Sequence, residues 1–289
     1  MTLRIKGATT IKGLTSVNWS PNLLFAAGEQ GVWYDPSDFS TMFQDTAGTT
    51  PVTATGQSVA RINDKSGRGN NATQSTSGQR PTLQQDASGK YYLSFDGSDD
   101  LMTVSGSAST MKFMHSAVSS VCAGATFGNN SDPNTFVPLF GTNNGASSNV
   151  GSSFLYDDRA SVSRNNSLAI LTTNSSSPGF QQVINAIDQN IISPNTATVI
   201  FYNADPANAT AANRYFIYVN TGSALNTNAV NNALSTSNST FDMQIAGLGS
   251  STTTTAPLRL YGLVMVNSTL STSSRQLLQN WMNSKTAAY

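Results

Sequence analysis

The chain has few of the residues from which catalytic sites are usually built. Its 289 residues include one cysteine, Cys122, one histidine, His115, and one glutamate, Glu29. One cysteine cannot form an intrachain disulfide, and this set is too small for a zinc site of three or four ligands. A glycosidase that uses a glutamate pair is also excluded, although a pair drawn from the aspartates stays formally open.

Charged residues are also scarce. They make up 10% of the chain, against roughly 25% in an average globular protein. Lys plus Arg and Asp plus Glu are 15 each, so the formal net charge is zero. A surface of this kind exerts little long-range electrostatic steering and offers no basic face for phosphates. We therefore expect no nucleic-acid partner.

Long apolar runs are absent as well. No run approaches the roughly 18 apolar residues of a membrane-spanning helix. The N-terminal stretch Met1–Gly7 lacks the apolar core of about 7–15 residues that a secretory signal needs. We expect no membrane partner and no signal-directed export. Assembly in a host cytoplasm into a particle released by lysis is the hypothesis for an exterior location.

What the sequence does contain is a series of short apolar and aromatic stretches separated by Asn-, Ser-, Thr- and Gly-rich turns. This pattern, with almost no long helix, predicts an all-β fold, an antiparallel β-sandwich or jelly roll. The predicted strands are Val32–Tyr34, Val59–Ile62, Tyr91–Phe95, Leu101–Val104, Val118–Phe127, Phe136–Phe140, Phe154–Tyr156, Leu168–Leu171, Phe180–Ile187, Thr198–Tyr202, Tyr215–Val219, Phe241–Ala246 and Leu258–Val266.

The two ends of the chain differ from the strand-rich middle. Residues 1–30 are predicted to form an arm with a short helix, in which Ser20 is the N-cap, Pro21 the first helical residue and Gly28 the stop. The arm either contacts a neighbouring subunit or adds a strand to its own sandwich. Residues 31–289 are predicted to form the sandwich.

A second predicted helix closes the chain from Thr272 to about Lys285, with Ser271 as its N-cap. Four apolar residues at helical spacing are expected to pack on the sandwich. They are Leu277, Leu278, Trp281 and Met282.

One acidic segment offers a metal-binding hypothesis. Asp96–Asp100 carries three carboxylates in five residues, and Ca²⁺ prefers such clustered oxygens. The distal glutamate of an EF-hand loop is replaced by Ser107. We therefore predict a turn in which aspartates accept bonds from backbone N–H groups, and we interpret Asp64–Gly69 in the same way. No metal-ligating residue is predicted.

The remaining candidates are interpreted as structural. His115 lies in a segment without a nucleophile elbow, and Cys122 lies in an apolar run typical of a buried, inert thiol. No glycine-rich phosphate loop is present, so no cofactor is predicted. Among the aromatic side chains that could stack on sugars, Trp33 and Trp281 are predicted to be core residues, and Trp19 is more open to a contact role. These aromatic candidates are Trp19, Trp33, Trp281, Tyr91 and Tyr92.

Both ends of the predicted sandwich resemble a known family, whereas only strand patterning supports the part between Ser105 and Thr240. The segments that carry the resemblance are Trp33–Asp38, Phe43–Asp45, Gly48–Val52, Asp64–Gly67, Arg80–Leu83, Phe95–Gly97 and Tyr261–Asn267 with the closing helix. They resemble the phage and prophage form of the concanavalin A-like, laminin-G-like (LamG) jelly roll. The resemblance implies an exterior virion component that sometimes binds carbohydrate.

Together, these observations predict a non-enzymatic exterior structural protein of a phage virion, a head-decoration, head-fibre or tail-associated protein. Its expected partners are other virion proteins and its own copies. The alternative is a carbohydrate-binding adhesin that recognises host-surface glycans. No catalytic residue is predicted for either function.

Overall fold

The computed structural model describes residues 19–128, 136–144, 149–157, 166–174, 181–185, 190–226, 235–249 and 257–289. Its helices are α1 (Phe113–Ser116) and α2 (Thr272–Thr286). Among the described residues, no helix combines the length and apolar character needed to cross a membrane. The strands are β1 (Gly31–Tyr34), β2 (Met42–Phe43), β3 (Arg61–Ile62), β4 (Ala72–Thr73), β5 (Thr82–Gln85), β6 (Tyr91–Phe95), β7 (Met102–Val104), β8 (Ser119–Phe127), β9 (Phe136–Gly141), β10 (Val150–Asp157), β11 (Ser167–Asn174), β12 (Gln181–Asn185), β13 (Thr198–Ala204), β14 (Tyr215–Val219), β15 (Leu225–Asn226), β16 (Met243–Ile245) and β17 (Leu258–Val266).

The strands form two antiparallel sheets around one main hydrophobic core, which confirms the predicted β-sandwich. An eight-stranded sheet has the order β15-β14-β13-β8-β17-β6-β5, with β1 also paired to β17. A nine-stranded sheet has the order β12-β11-β10-β9-β16-β7-β4-β3-β2. Neighbours such as β8 and β17 are far apart in sequence, so the sheets depend on long-range pairing.

Buried and half-buried residues alternate in β7 and β16 of the nine-stranded sheet, whereas β10 in the same sheet is buried along its whole length. In β7 and β16 the flanking residues are buried, whereas Thr103 and Gln244 between them are half-buried on the opposite face. Strand β8 is instead buried along its whole length. A strand buried on both faces needs a second covering layer, and helix α2 supplies it by packing on β8, β13 and β17.

Helix α2 begins and ends where the sequence predicts. The Ser271 hydroxyl accepts a hydrogen bond from the Ser274 N–H at 3.2 Å, which confirms the N-cap. The helix also lies very close to the sheet. A Cβ on Gly124 would lie 2.5 Å from Thr286 Cγ2 and 2.9 Å from Met282 Sδ. Glycine is therefore required at this position for the helix to approach the strand.

The buried stripe of α2 is rotated from the predicted one. Leu278 and Met282 are buried and Trp281 is half-buried, but Leu277 is 42% exposed, so its predicted burial is wrong. Gln279 is buried beside the stripe because its Nε2 donates to the Asn220 carbonyl at 2.9 Å. Leu277 therefore lies at the edge of the buried stripe, and Gln279 takes a buried position beside it.

The N-terminal part of the chain is only partly described. Residues 1–18, which include most of the predicted arm, lie outside the described residues. Pro21–Phe25 is a 3-10 helix, and Ser20 makes no side-chain cap bond, so that predicted capping role is wrong. Gly28 has the expected positive φ of 98°. Phe25 is buried in an apolar cluster with Trp33, so this segment packs on the sandwich.

Close packing at Gly124 predicts the effect of adding one methyl group there. We expect Gly124→Ala to lower the free energy of unfolding by about 1–3 kcal/mol, because Met282 and Thr286 must move. Gly78→Ala is the matched control, since its Cβ would meet nothing within 4 Å. Urea unfolding of both variants measures the difference. Equal stabilities would show that α2 is not closely packed on the sheet.

Candidate functional site

The most characteristic sequence motifs meet at one edge of strand β1. Asp64 Oδ1 accepts the Trp33 N–H at 2.9 Å, and the Lys65 N–H donates to the Trp33 carbonyl at 2.9 Å. The Asn70 side-chain amide donates to the Gly31 carbonyl at 2.7 Å. These bonds occupy backbone groups that an added strand would otherwise use. The Asp64–Gly69 segment is thus a turn, as predicted, and it caps the sheet edge at β1.

A charged and aromatic cluster joins this edge to helix α2. The buried Asp35 carboxylate lies 3.1 Å from Lys285 Nζ and 3.5 Å from Lys65 Nζ. Lys65 also lies over the Trp33 ring, which packs edge-on against Trp281 at 5.8 Å between ring centroids. Two ammonium groups compensate a carboxylate that is costly to bury alone. The sequence gives no signal for the Lys285–Asp35 pair, whose members are 250 residues apart.

Asp38 lies at the more exposed end of the same cluster. It accepts a hydrogen bond from Lys65 Nζ at 2.6 Å and one from the Ser40 hydroxyl at 2.6 Å. Partial burial acts to raise the pKa of Asp38, but the bonds from Lys65 and Ser40 outweigh it and lower the pKa. The carboxylate therefore stays ionised and bound to Lys65, an arrangement that suits a structural ion pair.

The predicted acidic turn is formed by its own hydrogen bonds. Asp96 Oδ1 accepts the Ser98 N–H at 2.8 Å, and Asp100 Oδ2 accepts the Asp96 N–H at 3.0 Å. Carboxylate oxygens of Asp96, Asp99 and Asp100 lie within 4.8 Å of one another. Burial, with the charges of Asp96 and Asp99, raises the pKa of Asp100 to about 6. In the described part of the chain, these three residues are the group of carboxylates that could hold a Ca²⁺ ion.

The other candidate residues are far from forming a catalytic set. His115 is buried, and its Nε2 lies 3.1 Å from the Ser237 carbonyl, not from a serine hydroxyl or a carboxylate. Burial lowers the pKa of His115, with a smaller contribution from Lys112. Cys122 is fully buried and burial raises its pKa, which confirms the inert thiol. Glu29 accepts the Ala27 N–H in a surface turn.

The aromatic candidates are mostly committed to packing. Trp33 is 7% exposed, which confirms its core role, and Trp281 covers it from α2. Tyr92 is buried beside Tyr261, with ring centroids 5.2 Å apart. Trp19 is half-buried against the cluster that contains Trp33. Tyr91 is half-buried and packs edge-on against Phe39, with ring centroids 4.9 Å apart. The structure therefore places Trp33 and Tyr92 in the core, while Trp19, Tyr91 and Trp281 keep part of their surface exposed.

Comparison with known proteins supports the β-sandwich fold but does not assign the chain to a protein family. No protein-family model matches the chain, and no curated protein is similar to it in sequence. Solved structures do match. The binding domain of botulinum neurotoxin serotype D/C is 13% identical, covers 91% of this chain and 53% of that one, and gives a TM-score of 0.51. The binding domain of Paraclostridial Mosquitocidal Protein 1 is 14% identical, with coverages of 77% and 49% and a TM-score of 0.51.

A third match is a structure of botulinum neurotoxin type C, whose cell entry is described as dependent on interaction with two ganglioside molecules. It is 12% identical, covers 88% of this chain and 51% of that one, and gives a TM-score of 0.50. The chain thus spans about half the length of the structures it matches. Matches at identities this low show a shared β-sandwich fold, while function needs separate support.

The raised pKa of Asp100 predicts a pH-dependent stability. The folded state retains the proton up to about pH 6. The unfolded aspartate loses it near pH 4. Stability therefore falls as pH rises from about 4 to 6. We expect Asp100→Asn to melt about 2–5 °C above wild type at pH 7.5, a gap that narrows at pH 4.

Differential scanning fluorimetry at both pH values, with EGTA and with excess Ca²⁺, measures this effect. If the turn binds no metal, the melting temperature of wild type changes neither with EGTA nor with Ca²⁺. If Ca²⁺ stabilises wild type at pH 7.5 and not Asp100→Asn, the acidic turn is a calcium site instead.

Proposed function

We propose that this chain is a non-enzymatic binding domain that recognises glycans on a cell surface. The observation that carries the proposal is the sandwich fold, which matches toxin binding domains and a neurotoxin whose cell entry is described as dependent on interaction with two ganglioside molecules. The scarcity of residue types that usually build catalytic sites agrees with the non-enzymatic part of the proposal. The sequence contains one glutamate and one histidine. The histidine is buried, and its side chain contacts a backbone carbonyl.

The surface chemistry also favours glycans over charged partners. With 10% charged residues, the polar side chains of this chain carry mainly hydroxyl and amide groups. Such groups pair with sugar hydroxyls through neutral hydrogen bonds, which salt does not screen as it screens exposed ion pairs. A nucleic-acid or strongly acidic partner would need a basic excess that the chain lacks.

A glycan array with the purified protein tests this function. We expect binding to a defined group of oligosaccharides that persists at about 1 M salt, because neutral hydrogen bonds are not screened. Heat-unfolded protein on the same array is the control for non-specific adhesion. An array at background for the folded protein would overturn the proposal.

The second proposed function is display on the exterior of a phage virion, as a LamG-type head-decoration, head-fibre or tail-associated protein. It is supported by the motif segments Trp33–Asp38 and Asp64–Gly67, which the structure brings together at β1. The predicted attachment arm is residues 1–30. Because Phe25 packs on the sandwich, residues 1–18 are the part of the arm proposed for attachment. A glycan-binding domain displayed in many copies would gain avidity without any new contact.

Deletion of residues 2–18 tests the attachment. The deletion spares Phe25 and its contacts with the sandwich, so we expect the isolated protein to melt within about 2 °C of wild type. Incorporation into particles, measured by immunoblot of purified virions, should be lost. The full-length Gly78→Ala variant is the control. Normal incorporation of the deletion variant would refute the role of this segment.

A further inference from the structure

The single histidine of the chain joins helix α1 to a segment 122 positions away in sequence. The His115 side chain is 1% exposed, and its Nε2 lies 3.1 Å from the Ser237 carbonyl oxygen. A carbonyl oxygen only accepts hydrogen bonds, so Nε2 carries the ring proton and Nδ1 is unprotonated. Nδ1 is also buried, and within the described residues it has no hydrogen-bond partner. The site therefore fits a neutral ring and offers no acceptor for a second proton.

The charged groups around the ring do not favour its protonation either. Burial lowers the pKa of His115, the bond to Ser237 opposes this effect, and the charge of Lys112 adds to it. The elements packed against the ring, the 235–242 segment and β10, carry three other titratable residues. They are Asp242, Tyr156 and Asp157. The Asp242 carboxylate accepts the N–H groups of Gly106 and Ala108 at 2.8 and 2.9 Å. Of the charged side chains that the structure describes, Lys112 alone acts on the pKa of His115.

The 235–242 segment is held by hydrogen bonds more than by apolar packing. Its first six residues are uncharged and polar, and Phe241 is its one apolar side chain. The Ser239 N–H donates to the Ala108 carbonyl at 2.9 Å. Thr240 pairs with Val150, donating its N–H to the carbonyl at 2.8 Å and accepting the Val150 N–H on its hydroxyl at 2.8 Å. Segments with few buried apolar contacts are the ones that open at low free-energy cost.

Opening of this segment changes the proton affinity of the ring. Once the Ser237 carbonyl has moved away and water reaches the imidazole, the pKa of His115 returns to about 6.5. Below that pH the open form binds a proton that the closed form binds less tightly, so acid favours the open form. The closed form is thus most stable above about pH 6.5 and loses stability as pH falls towards the lowered pKa. Protonation of Asp100 has the opposite sign, because its raised pKa makes acid stabilising.

We propose that His115 is a pH switch, in which protonation of its ring in mild acid releases the 235–242 segment from helix α1 and from the start of β10. Release breaks the contact with Ser237 and frees the backbone N–H and carbonyl of Val150 from Thr240. The inference goes beyond the proposed glycan-binding function and does not depend on it.

Hydrogen exchange of the 235–242 segment, measured by mass spectrometry and corrected for intrinsic exchange rates, tests the switch. A proton bound preferentially by the open form raises the open population about 10–30-fold between pH 7.5 and pH 5. We expect the Ser239 and Thr240 amides of wild type to lose protection by this factor. His115→Gln keeps an amide that can donate to the Ser237 carbonyl but does not titrate, so its protection should change less than about twofold.

The matched control is Asp100→Asn, which removes a group with a pKa of about 6 and keeps the histidine. It should lose protection as wild type does. NMR titration of the single histidine ring in wild type needs no variant and decides the question even if His115→Gln does not fold. A ring pKa at or above about 6.5 in the folded protein overturns the inference. Equal loss of protection in wild type and folded His115→Gln, or no loss in Asp100→Asn, overturns it as well. None of these results depends on whether a glycan binds.

Discussion

Helix α2 rests on Gly124 and Gly262, where the absence of side chains lets Met282 reach the backbone of the eight-stranded sheet. This close approach places Lys285 at Asp35, and a carboxylate as buried as that of Asp35 requires cationic partners. Because Asp35 directly follows β1 and Lys285 belongs to α2, this ion pair joins the end of the first strand to the last helix. The cap on β1 and the seating of Trp281 on Trp33 both depend on this contact.

The same contact makes the two outer faces of the sandwich unequal. The eight-stranded sheet carries the helix, its aromatic rings and the fully buried strand β8, so much of that face contributes to stability. The nine-stranded sheet keeps alternating strands such as β7, with a polar residue outward. If glycans bind through uncharged groups alone, as proposed, display in many copies would add avidity without any new contact. The two proposed functions are therefore compatible.

Sequence patterns predicted the strands that carry several apolar residues, such as β6, β14 and β17, at the bounds that the structure shows. The strands they missed are short or polar, namely β2, β4, β5 and β15. In β5 only Leu83 is apolar, and in β4 pairing with β7 involves Thr73 alone. Such segments become strands because neighbours offer backbone partners. Their own side chains include too few apolar residues to predict a strand.

In the candidate site, too, some features were predictable from the sequence and others depend on the tertiary structure. Counts of glutamate, histidine and cysteine limited the possible chemistry before any fold was known, because catalysis needs particular functional groups. Local spacing likewise determined the acidic turn and the N-cap at Ser271, whose bonds join residues a few positions apart. Only the tertiary structure decided that Lys285 meets Asp35 and that His115 meets Ser237. Those contacts join residues distant in sequence, and the pairing of β1 with β17 and of β7 with β16 brings them together.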